Sequence, residues 1–577
     1  MRTLFISSPI AETAPMRRSM ILSTPRMSVL LTAMLSAQAY AVTPPDAGQA
    51  LRELQAAPAP SAQTSPAITL SPETLNPNNT STAGNDLRVH VAALRYEGNT
   101  VFDQVVLDRV VGKLPPEMSL ADLHAASQRI SRFYRQRGYL LARAYLPAQD
   151  ISAGTVTIAI LEGRLDHITV NNQSKLSTRQ IQSLLDTQQP SDKPVQSDKA
   201  NRALLLLQAL PGIGQVQGSL HPSATVGSTD LNVDITAGPW ITGSVGLDNG
   251  GNRFTGAERL NGALNLNNLA GIGDQLSLQA VVTNQDRMDY GRVAWDAPVG
   301  SQGLRLGAAF SNLRYQLGDA FAPLDAHGIA RTTSVYGDLA LLAAPDSHIN
   351  LNLAFENREL TDITGLVNLH NKRRLNAVVI SASGDFRDSL LWTPAVNAWR
   401  VVTTAGSLQL NTATVAAIDH VSARSAGEYA KVVLSGTREQ QLPLGLSLYL
   451  AGTMQRSNKN LDSSEQFSLG GPTAIRAYPV GEAPGDQGWV SSAELRYRVI
   501  PALQLVAFYD LGAVEANRYT YIKQKNGTHL YGSGIGANAT WHDCSLKTSL
   551  AWRAGSAPPI SDTDRRPRVW VQGSYAF

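Results

Sequence analysis

The sequence is poor in cysteine, in charge and in long apolar runs. Cys544 is the only cysteine among 577 residues, which excludes an intramolecular disulfide and a CxxC metal cluster. Charged residues make up 16% of the chain, a low share for a soluble protein, and 49 Lys and Arg nearly balance 46 Asp and Glu. Without a basic run, this balance gives no indication of a nucleic-acid partner. No segment beyond the N-terminus is long enough for a transmembrane helix, so membrane insertion would require strands.

The N-terminus has the pattern of a secretory signal. Three arginines precede an apolar run, and an A-x-A cleavage motif follows it: Arg17, Arg18, Arg26, the run 27–37 and the motif 39–41. A membrane anchor helix is the alternative, but the run is short for one. The sequence therefore predicts a signal peptide over 1–41 and a mature chain outside the cytoplasm.

A short helix and a linker are predicted next. Residues 42–57 contain Asp46, a plausible N-cap, and an apolar side with Leu51 and Leu54. Residues 58–87 are rich in Pro, Ser, Thr and Asn, which is typical of a linker. A flexible segment of this length spans roughly 30 Å on average. The helix can therefore dock far from the domain that follows the linker.

Two similar units, 88–165 and 166–239, follow the linker. Each has the order strand, helix, helix, strand, strand over about 75 residues, which indicates an internal repeat. In the first unit, 88–102 is predicted to be a strand with its turn, and 120–139 has helical spacing. The two units are therefore predicted to be small α+β domains.

From 240 to 577 the helical patterns give way to alternation. One face of the segment 349–356 is apolar: Ile349, Leu351, Leu353 and Phe355. We count 16 such segments, near ten residues each, and the last ends in step with its apolar face at Phe577. A soluble β-sandwich would also alternate. An even number of strands after a secretory signal favours a 16-stranded antiparallel outer-membrane barrel.

The segment 468–489, between strands 11 and 12, fits neither pattern. It is rich in glycine and proline, so we expect neither a regular helix nor a regular strand. Long loops of this kind in compact proteins are usually functional or disordered. Sixteen strands also enclose a channel too wide for side chains alone to fill. This loop and the helix in 42–57 are therefore candidate plugs.

A partner for Arg476, in the middle of this loop, is offered by the segment 503–512. Alternation directs Leu505 and Tyr509 to lipid, and it directs Phe508, Asp510 and Gly512 to the lumen. A guanidinium binds a carboxylate with two parallel hydrogen bonds, and a glycine leaves room for the loop backbone. We therefore expect Arg476 to pair with Asp510. The alternative is a solvated arginine at a loop tip.

Several motifs resemble those of two-partner-secretion transporters of the Omp85 superfamily, which export haemolysins and filamentous adhesins. The segment 134–165 is similar to the end of a first POTRA domain, with an aromatic-x-x-x-Gly-Tyr helix end and the pair Glu162-Gly163. Other similar segments belong to the second POTRA domain and the opening barrel hairpin: 201–213, 247–256 and 267–278. The resemblance covers essentially the whole mature chain.

The resemblance extends to the loop and to the barrel wall. The family's inward-folded loop carries Val-Arg-Gly-Tyr or Phe, and this chain has Ile475, Arg476, Ala477 and Tyr478. The family's wall motif is Phe-x-Asp-x-Gly, and this chain has Phe508, Asp510 and Gly512. Ala477 departs from the family glycine. Alanine is disfavoured there if the position requires a positive φ.

The resemblance implies export of a large unfolded partner protein, of haemolysin, adhesin or toxin type, from the periplasm to the cell surface. It places the barrel in outer-membrane lipid and the POTRA domains, which receive the partner, in the periplasm. It also implies a monomer that the barrel assembly machinery inserts. The alternative is an Omp85-type factor that assembles other barrels, although two repeats and a plug helix favour export. A passive porin needs no periplasmic repeats.

Motifs for chemistry are weak in this sequence. The segment 212–218 lacks the GxGxxG spacing of a nucleotide loop, and the histidines lack metal-site spacing. The segment 248–252 lacks the twelve-residue calcium pattern and suits a hairpin turn. We therefore predict no enzyme activity, no cofactor and no metal site.

Overall fold

The computed structural model describes residues 44–55, 60, 71–72, 88–113, 115–152 and 154–577. The predicted signal peptide, 1–41, and most of the predicted linker, 58–87, lie outside the described residues. The first described helix is α1 (Ala47–Gln55), within the range predicted as 42–57. The Asp46 carboxylate accepts a hydrogen bond from the Gln49 backbone N–H at 2.8 Å, so it caps the helix as the sequence suggests.

The first α+β unit has two more strands than the sequence predicts. Its elements are β2 (Arg88–His90), β3 (Ala93–Glu97), α2 (Gln104–Val111), β4 (Glu117–Ser119), α3 (Leu120–Gln136), β5 (Arg143–Tyr145) and β6 (Thr155–Leu161). The strand predicted over 88–102 divides in two because β2 pairs with β4, whereas β3 joins β6 and β5. Ser119 ends β4 and also begins α3 through a reciprocal cap with Asp122.

The family motif residues of this unit meet around a buried carboxylate. Glu162 accepts hydrogen bonds from the backbone N–H of Thr100 at 2.8 Å, from that of Val101 at 2.9 Å and from the Tyr134 hydroxyl at 2.9 Å. Burial, together with this carboxylate, raises the pKa of Tyr134. The motif therefore joins the end of α3 to the turn after β3 and to the end of β6.

The second α+β unit begins directly after the first. Its elements are β7 (Arg164–Asn172), α4 (Thr178–Gln188), α5 (Ser197–Gln208), β8 (Ile213–Pro222) and β9 (Ser228–Ala237). A short strand from the predicted linker, β1 (Ser71–Pro72), pairs in parallel with the edge strand β8. The sheet order is therefore β1-β8-β9-β7, and the apolar faces of α4 and α5 pack on it.

Sixteen strands within the described range 154–577 close into an antiparallel barrel, which confirms the predicted fold class. They are β10 (Ile241–Asp248), β11 (Arg259–Asn267), β12 (Gln275–Thr283), β13 (Met288–Val299), β14 (Leu304–Gln316), β15 (Ala326–Ala344), β16 (Ser347–Thr364), β17 (Leu369–Asp388), β18 (Ala395–Leu410), β19 (Gly427–Gln441), β20 (Leu446–Ser457), β23 (Gln487–Ile500), β24 (Leu503–Glu515), β25 (Gly527–Trp541), β26 (Cys544–Arg553) and β27 (Arg568–Ala576). The first and last strands, β10 and β27, pair with each other and close the ring.

The predicted length near ten residues is wrong for the middle of the barrel. Strands β15, β16 and β17 have 19, 18 and 20 residues. A membrane crossing needs about 9–11 residues. The additional residues therefore extend the wall beyond the lipid.

The two ends of the barrel differ in what they contact. The chain enters β10 from the second α+β unit, so the turns after β11, β13, β15, β17 and β19 lie at the end that faces the two units. The Gln188 side chain donates a hydrogen bond to the Ser301 carbonyl at 2.9 Å, and Arg202 donates one to the Ala340 carbonyl at 2.7 Å. The second unit is thus bound to this end of the barrel.

The loop predicted over 468–489 begins ten residues earlier, ends three residues earlier and is more ordered than expected. Residues 458–486 connect β20 to β23, and within them β21 (Phe467–Ser468) pairs with β22 (Pro484–Gly485). Gln487 and Trp489 already belong to β23, where they pair with β24. The glycines in this stretch hide the alternation of the strand. We refer to 458–486 as the inward loop.

The connection between the ninth and tenth barrel strands, β18 and β19, carries a further helix, α6 (Ala413–Val421). None of the helices in the described part of the chain is long and apolar enough to cross a membrane.

Candidate functional site

The structure brings Arg476 and Asp510 together inside the barrel. Asp510 lies on β24 with its side chain directed inward, and it is fully buried. Arg476 donates from Nε to one carboxylate oxygen at 2.9 Å and from its terminal nitrogen to the other at 2.6 Å. The backbone N–H of Arg476 also donates to this carboxylate, at 3.1 Å. The contact is therefore the bidentate geometry that fixes direction as well as distance.

Two further wall residues bind Arg476, and sequence reasoning missed both. Glu494 on β23 accepts a hydrogen bond from the guanidinium at 2.7 Å, and Ser492 accepts one at 2.8 Å. Ser492 is paired with Asp510 across the two strands and donates to its carboxylate at 2.7 Å. The alternation of β23, which directs Trp489 and Leu495 outward, would have placed both residues inward. We call Arg476, Ser492, Glu494 and Asp510 the tip contact.

The other two wall-motif residues shape the floor of the tip contact. The Phe508 ring lies under the guanidinium, with 3.4 Å from the Arg476 Cζ to the ring centroid, a cation–π arrangement. A Cβ at Gly512 would lie 3.0 Å from Leu469 and 3.2 Å from Ile475 in the inward loop. Glycine at this position therefore permits the loop to approach the wall.

Ala477 occupies the family glycine position without a backbone penalty. It lies outside the set of residues with positive φ, so alanine is compatible with its conformation. Ala477 is buried, and it faces Gly532 on β25, where a Cβ would lie 2.6 Å from the Ala477 Cβ. The additional methyl group of Ala477 therefore occupies space that Gly532 leaves free.

The remaining side of the loop tip is held by the last strand and its preceding loop. The Trp570 indole donates to the Arg476 carbonyl at 2.7 Å, and the Tyr478 hydroxyl donates to the Ala557 carbonyl at 3.0 Å. The buried Glu482 carboxylate accepts the backbone N–H groups of Ile560 and Ser561 at 2.9 Å and 2.8 Å. The tip is thus bonded both to β23 and β24 and to β27 with its preceding loop.

The base of the inward loop has a second buried ion pair. The Glu465 carboxylate lies 2.7 Å from the Lys431 Nζ on β19 and 2.5 Å from the Arg358 guanidinium on β16. Glu465 is almost fully buried, so both cations compensate its charge in a protein interior. The sequence offered no signal for this pair, because Glu465 precedes the segment that looked exceptional.

Helix α1 lies against the inner wall and against the inward loop. Arg373 on β17 donates to the Asp46 carboxylate of the helix at 3.0 Å, to Asp362 on β16 at 2.6 Å and to Asp462 in the loop at 2.6 Å. The Ala47 backbone N–H donates to Asp362 at 2.8 Å. We call Asp46, Asp362, Arg373 and Asp462 the helix contact. It joins the helix, the wall and the loop through one guanidinium.

The helix approaches the loop backbone closely. The Ser463 hydroxyl donates to the Asp46 carboxylate at 2.8 Å, and Arg52 donates to the Ser463 carbonyl at 2.8 Å. A Cβ at Gly48 would lie 2.8 Å from the Ser464 nitrogen. Farther along, the carbonyl of the buried Pro60 accepts a hydrogen bond from Thr437 on β19 at 2.8 Å. Pro60 therefore lies at the inner face of β19.

The barrel and the α+β region match known families. Residues 227–539 match the family of haemolysin secretion/activation proteins ShlB/FhaC/HecB. The chain belongs to this family. Residues 89–163 match the POTRA domain of ShlB type, which confirms the predicted POTRA region.

Similar proteins extend over most of the chain. The haem/hemopexin transporter HuxB of Haemophilus influenzae is 28% identical over 534 residues, covering 89% of this chain and 92% of that protein. The outer-membrane transporter CdiB of Dickeya dadantii is 26% identical over 503 residues, covering 80% and 82%. The solved structure of CdiB from Escherichia coli aligns with a TM-score of 0.70 at 19% identity, over 97% of this chain and all of that one. That likeness shows the fold.

These matches confirm the predicted class and location. The chain is an outer-membrane transporter of the two-partner-secretion type, within the Omp85 superfamily, and its POTRA region lies in the periplasm. Members of the family are transporters, and the contacts described above are suited to holding a loop and a helix inside a pore.

Proposed function

We propose that this chain exports one large unfolded partner protein from the periplasm to the cell surface. The observation that carries the proposal is the content of the barrel: a helix and a loop lie in the lumen and make different contacts with the wall. Polar contacts of Asp46, Ala47 and Arg52 hold the helix to the wall and to the loop, whereas the loop is continuous with two wall strands. A pore that must open for a polypeptide needs one element that can leave and one that preserves the wall.

In this proposal the tip contact is permanent and helix α1 is a removable plug. Arg476 remains bound to Asp510 and Glu494 while the partner passes, because breaking that contact would leave a fully buried carboxylate without a cation. Ile475, Ala477 and Tyr478 keep the loop tip packed, and Phe508 and Gly512 form its seat on the wall. The plug leaves when the partner arrives.

The partner is first bound by the POTRA region. An extended segment of an unfolded chain can add to an exposed sheet edge through backbone hydrogen bonds. The proposal includes a monomeric transporter, inserted by the barrel assembly machinery and surrounded by outer-membrane lipid. With no nucleotide in the periplasm, folding of the partner outside the cell supplies the driving force.

The test is secretion of the partner encoded beside this chain. Cells with the wild-type transporter should release the partner to the medium, and cells without it should retain the partner in the periplasm. The abundance of other outer-membrane barrels should be the same in both strains. A fall in those barrels with unchanged release of the partner would contradict export and indicate the assembly function instead.

A further inference from the structure

Two periplasmic turns of the barrel carry exposed large apolar side chains. The turn after β17 presents Leu390, Leu391 and Trp392, and the turn after β19 presents Leu444. Trp392 is 92% exposed and Leu444 is 88% exposed. Exposed apolar clusters of this kind in a folded protein mark surfaces that bind something. We call these four residues the turn patch.

The backbone at the turn patch is held in a conformation that its residues disfavour. Trp392 has φ 61° and Leu444 has φ 62°, both in the left-handed region that glycine or asparagine usually occupies. Neither side chain gains packing inside the protein in return, since both are almost fully exposed. Residues kept in such conformations cluster at functional positions.

The two turns form one surface. The Thr393 hydroxyl donates to the Gln441 carbonyl at 2.6 Å, and the Gln440 side chain donates to the Thr393 carbonyl at 2.8 Å. The Gln441 N–H donates to the Pro394 carbonyl at 3.0 Å. The turns after β17 and β19 are therefore fixed relative to each other.

Lipid is a poor occupant for this surface. On the outer wall above the turns, Arg438 makes a two-point contact with Asp388 at 2.7 Å and 3.0 Å and donates to Asn397 at 2.8 Å. Arg438 pairs across strands with Leu450, and Asn397 pairs with Phe386, and both apolar partners are exposed on the outer wall, which places Arg438 and Asn397 on that wall. This charged cluster ends the apolar band of the wall before the turns begin. The turn patch thus lies on the aqueous side of the headgroup boundary.

One described residue beyond helix α1 lies at the inner face of β19, near the turn patch. Pro60, on the chain that leaves helix α1, is bonded to Thr437 on the inner face of β19. Thr437 is only a few residues from the turn that carries Leu444, and the turn that carries Trp392 is bonded to the end of the same strand. A chain that leaves or enters the lumen along β19 must therefore pass this part of the rim.

We propose that the turn patch binds an extended, apolar-containing segment of the exported polypeptide as it enters the lumen beside β19. The proposal rests on the export function and adds a contact point on the barrel itself. An extended segment with apolar side chains at alternate positions can pack on a patch of leucine and tryptophan. Such packing requires apolar side chains but no particular sequence. Bound there, the segment is positioned to enter along the inner face of β19, where Pro60 is bonded to Thr437.

The test uses substitutions that remove the apolar side chain and also remove the strain of a positive φ at that position. Glycine favours the left-handed region, so Trp392→Gly and Leu444→Gly should preserve the turns. The matched control is Trp541→Ala, which removes a 72% exposed tryptophan at another periplasmic turn. Full-length protein in nanodiscs is titrated with a fluorescein-labelled peptide of alternating valine and serine. We expect binding at least ~fivefold weaker in the double glycine variant and unchanged in the control.

Secretion and cross-linking complete the test. In cells, the double glycine variant should release the partner more slowly at equal barrel abundance, and a photocross-linker at Leu391 should capture the partner during export. Peptide binding and release equal to the wild type would overturn the proposal. Two other outcomes would also overturn it. One is quenching by nitroxide lipids of a bimane attached at L444C in a C544S background, which would place the turn in lipid. The other is cross-linking to a second copy of the chain. Failure of the wild type itself to release the partner would instead contradict the export function.

Discussion

The tip contact and the helix contact each place an arginine among carboxylates inside one barrel, but they divide their partners differently. In the tip contact, Arg476 comes from the loop and both acids, Asp510 and Glu494, come from the wall. In the helix contact, Arg373 comes from the wall and only one of its three acids, Asp46, comes from the helix.

The source of each arginine and its acids determines which charges remain paired when the loop tip or the helix leaves the lumen. If the loop tip left, a fully buried Asp510 would lose its cation, and an uncompensated buried charge is strongly destabilising. If the helix left, Arg373 would still have Asp362 and Asp462 at 2.6 Å each. The charges of the wall therefore remain paired without the helix but not without the loop.

The largest effect is expected from the tip contact. Asp510→Ala and Arg476→Ala each remove one partner of a buried pair, which costs about 3–5 kcal/mol. We expect both variants to lose secretion or barrel stability, measured by partner release and by heat-induced unfolding in gels. Arg374→Ala, which breaks an exposed pair with Glu359, is the matched control and should change neither. Normal secretion by both tip variants would show that the loop anchor is dispensable.

Removal of the helix should preserve secretion, in contrast to the tip variants. Without residues 43–57 we expect a clear rise in pore conductance in planar bilayers, with secretion retained, because the wall charges remain paired. The tip variant Asp510→Ala provides the comparison, since it should lose secretion. If the helix deletion abolished secretion, the helix would be part of the export machinery rather than a plug.

The seat of the loop tip can be tested by exchanging a methyl group. Gly532→Ala places a Cβ 2.6 Å from that of Ala477 and should destabilise the loop by about 1–3 kcal/mol. Adding Ala477→Gly, which restores the family residue, should recover most of the loss. Thermal unfolding of the single and double variants measures this coupling, and equal losses in both would mean that the two positions act independently.

A smaller effect is expected from a substitution in the helix contact. Asp46→Asn keeps the size of the side chain but removes the charge that binds Arg373, which weakens the helix contact by about 1–2 kcal/mol. Single-channel recordings should show more frequent openings, while thermal stability of the barrel stays at the wild-type level. A loss of barrel stability would indicate that Asp46 supports the wall as well as the helix.

The smallest effect belongs to the POTRA region, away from both contacts. Tyr134→Phe removes the hydroxyl that donates to Glu162 and should lower the stability of the first unit by about 1 kcal/mol. Hydrogen exchange in β6 should become faster, and pore conductance should not change. An altered conductance would reveal coupling between this unit and the lumen.

Part of the site was predictable because it depends on local alternation. The inward direction of Phe508, Asp510 and Gly512 follows from the period of two along β24, and the glycine-rich loop identified its arginine. The same period along β23 directs Ser492 and Glu494 inward. The glycines around the start of that strand make Gln487 and Trp489 resemble loop residues, which hides the strand in the sequence.

By itself, the sequence determined the class of the protein: the alternation, the strand count and the outward or inward direction of each wall residue are local properties of a strand. Only the tertiary structure decided which inward residues meet. Gly532 lies opposite Ala477, and Arg373 binds Asp46 and Asp462, because a loop and a helix return into the lumen from distant parts of the chain. Such long-range contacts depend on the strand register of the whole barrel, which a local pattern of residues does not determine.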